Sequence, residues 1–87
     1  MSKVEFIGYT VGIAASSPTG PRALKVEFNR CKDGSVLMRA VSAHNLANAG
    51  KGRVISAEEF SSRPVNPFNS TREAIWALEK LGFRVAD

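Results

Sequence analysis

"LKVEFNRCKDGSVLMRAV", residues 24–41, is the stretch on which the fold turns. Leu24, Val26 and Phe28 alternate with Lys25, Glu27 and Asn29, the period-two pattern of a strand with one face buried and the other wet. Asp33-Gly34 then offers a tight turn, because glycine takes a positive φ without a Cβ clash. The chain returns as "SVLMRAV". Segments 22–30 and 35–42 are therefore expected to form an antiparallel hairpin.

Upstream, 3–15 reads as the longest strand, with Val4 and Phe6 on one parity and Ile7, Tyr9, Val11 and Ile13 on the other. A bulge near Phe6 to Gly8 would bring both sets to one face, since one extra residue resets the alternation; the alternative is a strand covered on both sides. "SSPTGPRA" follows as a loop. Downstream of the hairpin, 43–48 reads either as a helical turn or two ended by Gly50 or as a long loop. "RVIS" suggests a short fourth strand, Ser56 with Glu59 a capping box opening a brief helical turn, and "SRPVNPF" a linker.

"NSTREAIWALEKLGF", residues 69–83, predicts the main helix. Ser70 or Asn69 caps it, Glu73 completes a capping box with Ser70, and Gly82 ends it. Ala74, Ile75, Leu78 and Leu81 fall within about 120° of one another, a core-facing stripe. Phe83 and Val85 pack back beyond it as a short final strand. The expected fold is α+β: one compact domain over 1–87 with a three- to four-stranded antiparallel sheet and one C-terminal helix on one face, β-β-β-(β)-α.

The 87 residues carry a formal charge of +4, unevenly placed. Between Gly20 and Arg53 seven basic residues face two acidic ones, and the remainder is net acidic by one. Such a zone can draw nucleic acid or an acidic protein surface, or can be solvated surface. The nucleic-acid reading rests on Lys25, Arg30, Lys32, Arg39, Lys51 and Arg53.

Trp76, the only tryptophan, falls opposite the apolar stripe with Arg72, Glu79 and Lys80. Three readings stand: a loop such as 16–22 or 61–68 covers the indole, it anchors a protein interface, or it stacks on a base between Arg72 and Lys80. Arg72, Trp76, Glu79 and Lys80 are the residues expected to bind a partner.

Catalytic chemistry is not evident. Cys31 and His44 have nothing to orient them as nucleophile and base, and "GKG" at 50–52 lacks the spacing and hydroxyl of a phosphate loop. Glu58-Glu59 and Glu73 with Glu79 do not converge on a helix. One cysteine and one histidine leave no zinc set, and no cofactor or metal is expected. With no targeting signal read at the start and no apolar run near 18 residues, the composition points to the cytoplasm rather than a membrane. The expectation is a small non-enzymatic protein that binds another protein or a nucleoprotein complex, as an inhibitor or adaptor of the phage- or plasmid-encoded kind, with homodimerisation open and nucleic-acid binding through 22–53 as the alternative.

Overall fold

The computed structural model describes residues 4–17, 20–65 and 68–86. In chain order the elements are β1 (Glu5–Tyr9), β2 (Ile13–Ser17), β3 (Gly20–Arg30), β4 (Val36–Ser42), β5 (Asn48–Ile55), α1 (Ala57–Ser61), α2 (Thr71–Lys80) and β6 (Arg84–Val85). Among the described residues the strands form one six-stranded sheet in the order β5-β4-β3-β2-β6, with β1 also paired to β3 and every pairing antiparallel. The expected hairpin is β3 with β4, Phe28 opposite Met38 and Val26 opposite Ala40. Gly34 turns it at φ 93°, and Asp33 accepts from the Ser35 hydroxyl at 2.6 Å and amide at 3.0 Å. The Ser35 hydroxyl, then its amide, hold the Asp33 carboxyl below its ordinary value.

The expected three- to four-stranded sheet with a single helix is corrected to six strands and two short helices among the described residues, for local reasons. The anticipated long first strand is cut by Thr10. Its amide donates to the Val26 carbonyl at 2.9 Å, and its Oγ1 accepts from the Val26 amide at 2.9 Å while donating to the Val11 carbonyl. A side-chain oxygen thus replaces a backbone carbonyl, so 11–12 leave the ladder and the strand resumes as β2. Gly12 lies in that gap, where an added Cβ would sit 2.8 Å from the Ala43 Cβ. The bulge expected near Phe6 and Gly8 is present as a register shift between them.

Residues 43–48, left between helix and loop, form a turn with Leu46 at φ 57° and lead into a strand longer than "RVIS", from Asn48 to Ile55. Ser56 caps α1 by accepting from the Glu59 amide at 3.0 Å. The short final strand exists as β6, which pairs with β2. Part of the loop expected at 16–22, Pro18 and Thr19, and part of the linker, Asn66 and Pro67, lie outside the described residues.

The core joins Leu24, Val26, Phe28, Val36, Met38, Ala40 and Ile55 from the sheet to Phe60, Ala77, Leu78, Leu81 and Phe83 from the helical layer. Phe28 sits at its centre, 5.3 Å from the Phe60 ring and 5.6 Å from the Phe68 ring. Gly8 opposes Phe28 across β1 and β3, and leaves room for Phe68: an added Cβ would lie 2.5 Å from Phe68 Cε2.

α2 is capped by Ser70 as expected, and closes with a Gly82 φ of 91° and a Phe83 amide bonded back to the Leu78 carbonyl, a Schellman ending. Its buried arc differs from the expected stripe. Glu73, Ala74, Ala77, Leu78 and Leu81 are buried, whereas Ile75 and Trp76 are half-buried on the two flanks. The helix is turned by roughly 60° from the expected setting, at 100° per residue. Arg63 is the cause: it pairs with Glu73, which is 0% exposed and also accepts from the Asn69 amide at 2.6 Å. With Glu73 neutralised inside, small Ala74 and Ala77 can face the sheet.

The uncovered sheet face as candidate binding surface

Strand alternation sends Leu24, Val26, Phe28, Met38 and Ala40 to the helical layer, so their neighbours face the other way. The pairing registers arrange those neighbours in rows across the strands. One row runs Phe6, Asn29, Leu37, Val54; the next runs Tyr9, Glu27, Arg39, Gly52. Lys25 lies opposite Val41 in a third. At the far end, Arg84 lies opposite Ser16, which in turn faces Pro21 on β3. No helix among the described residues covers this face.

Its side chains are mixed in character. Phe6 is 52% and Val54 56% exposed, large values for apolar residues, at the two ends of one row across the sheet. The Phe6 and Tyr9 rings touch at 4.9 Å with a 56° tilt, and Lys25 Nζ lies 5.4 Å from the Tyr9 centroid. Arg39 Nη2 bonds Glu27 Oε1 at 2.7 Å across β3 and β4. Arg39 Nε is shielded from solvent and has no hydrogen-bond partner among the described residues. Among the described residues, three cations, Lys25, Arg39 and Arg84, thus accompany a single carboxylate on this face, and that carboxylate is already paired.

The six cations named from sequence divide. Lys25 and Arg39 share the uncovered face. Arg30 lies on the helical side, its guanidinium 5.8 Å from the Phe60 centroid and donating to the Gly34 carbonyl at 3.1 Å. Arg53 also faces that side and donates to the Lys80 carbonyl at 3.3 Å. Lys32 is exposed in the β3–β4 turn. Lys51 lies on β5 with its side chain outside the described residues.

The four helix residues divide as well. Arg72 and Glu79 are exposed on α2, while Trp76 is half-buried against the core with Lys80 Nζ 5.6 Å from its ring centroid. Lys80 also pairs with Glu59 of α1. The hydrogen bond from Lys80 is the largest influence holding the Glu59 carboxyl below its ordinary value, with the charges of Lys80 and Arg53 adding to it against a smaller desolvation effect. Trp76 is therefore part of a α1–α2 clasp as well as a surface group.

Phe6, Tyr9, Leu37, Val54 and Arg84 were not singled out from sequence. The bulge was the available signal: three steps along β1, from Phe6 to Tyr9, are accommodated against two steps of β3, from Asn29 to Glu27, which puts both rings on one side. Cys31 and His44 lie at opposite ends of β4, seven residues long, and so are roughly 20 Å or more apart at strand rise. Among the described residues no cluster of three or more His, Cys, Asp or Glu could hold a metal, and no helix is long and apolar enough to cross a membrane. The chain matches no family model, no curated protein and no solved structure.

Proposed function

We propose that this chain is a non-enzymatic interaction module that binds another protein or a nucleoprotein complex, as an inhibitor or adaptor of what it binds, through the uncovered face of its sheet. The supporting observation is the row that carries exposed Phe6 and Val54 with half-buried Leu37, beside the Tyr9–Glu27–Arg39 row. Aromatic, aliphatic and arginine side chains side by side, with water excluded from Arg39 Nε, have the composition of binding hot spots. The exposed residues of α2 offer a competing surface of fewer groups, because Lys80 and the indole already engage their own chain.

Capture by the immobilised protein, followed by mass measurement of what is retained, tests the choice of surface. Phe6→Ala combined with Val54→Glu should weaken retention by about 2 kcal/mol or more, while Arg72→Ala with Glu79→Ala leaves it unchanged. The reverse result would move the site to α2.

A further inference from the structure

The uncovered face can be taken further through its charge and ring content together. Among the described residues its three cations stand against one carboxylate, and Arg39 already neutralises that one. Lys25 and Arg84 make no ion pair among the described residues. At one end of the face an aromatic ring is half exposed, and at the other lies Arg84. Between the level of Pro21, which Arg84 shares, and the level of Asn29, which Phe6 shares, β3 runs eight residues, roughly 25 Å at strand rise. A face with this surplus of positive charge would attract any polyanion. One with a ring at its end also offers a π-face to a base, and base stacking is indifferent to sequence.

Accepting that this face is the working surface, we infer that the part of the partner it grips is a single strand of nucleic acid, with a base stacked on Phe6 and phosphates on Lys25, Arg39 and Arg84. Duplex fits less well: its bases are already stacked, and among the described residues no helix stands on this face to enter a groove. Tyr9 takes a supporting role, holding the Phe6 ring on one side while Lys25 lies against the other partner of that pair.

Fluorescence anisotropy with labelled twelve-residue oligothymidylate, oligouridylate, a twelve-base-pair duplex and polyaspartate is the test, with thermal unfolding of each variant as the fold control. Both single strands should bind in 50 mM salt. Three phosphate contacts predict about a twentyfold loss of affinity by 200 mM, from a slope of about 0.7 per phosphate. Phe6→Ala should weaken binding about tenfold and leave the salt slope alone; Lys25→Ala or Arg84→Ala should lower the slope by about one contact. Absence of single-strand binding at 50 mM, or equal binding of polyaspartate with no response to Phe6→Ala, overturns the inference. If face variants abolish partner capture while the oligonucleotides stay unbound, the inference falls and the reading of the face stands; if face variants affect neither, both fall.

Discussion

Arg63→Met should destabilise the fold by about 3–5 kcal/mol, because it leaves a carboxylate buried without its countercharge. Glu73 is 0% exposed, and Arg63 is packed with its guanidinium 4.4 Å from the Phe60 centroid and 4.9 Å from that of Phe68. Arg63 also donates to the Phe60 carbonyl at 3.1 Å, so one side chain ties α1, the following loop and the first turn of α2 together. For a chain of this size the melting temperature would fall by some 15–30 °C. Denaturant titration gives the free energy directly. The companion double change, Arg63→Met with Glu73→Leu, should recover much of the loss, since no ion then remains to be desolvated. A single variant within about 1 kcal/mol of the parent would mean that Glu73 is hydrated in solution and that the pair is not what turns α2.

Phe28→Ala should cost a similar amount, about 3–5 kcal/mol, through lost apolar burial plus the cavity that remains. Phe28 is 0% exposed and touches both Phe60 and Phe68, which otherwise lie 6.5 Å apart. Neither neighbour can slide into the space without leaving Arg63. Phe28→Leu should cost less, and Phe68→Ala less again because Phe68 is only half-buried. Equilibrium unfolding of the three variants checks the order; a Phe28→Ala loss below about 1.5 kcal/mol would show that the aromatic cluster collapses to fill the hole.

The central hairpin was legible because it depends on alternation and glycine, while the number of strands was not. The hairpin of 24–41, the Phe6–Gly8 bulge, and the caps at Ser56 and Ser70 all follow from local rules that no distant residue overrides. What escaped was decided at a distance. Thr10 reads as one more strand residue until Val26 stands beside it to be bonded. Glu73 reads as surface until Arg63, ten residues earlier, is folded over Phe60, and that single pairing changes the setting of a whole helix and with it the place of Trp76. The candidate site suffered in the same way. Cations close in sequence, such as Lys25 and Arg30, part to opposite faces by parity alone, while Arg84 joins Lys25 only because β6 adds to β2.

The gap at Thr10 has a mechanical consequence for the surface that carries Phe6 and Tyr9. Among the described residues, β2 is held on both edges, by β3 and by β6, whereas β1 is held by β3 alone. With 11–12 out of the ladder, rungs of β1 can break without pulling on those of β2. Local opening of this strand then requires far less free energy than global unfolding, and its amides should lose protection to hydrogen exchange well before those of β3 and β4. The two rings thus ride on the least constrained strand of that flank, able to yield to a ligand's shape while the sheet beneath stays closed.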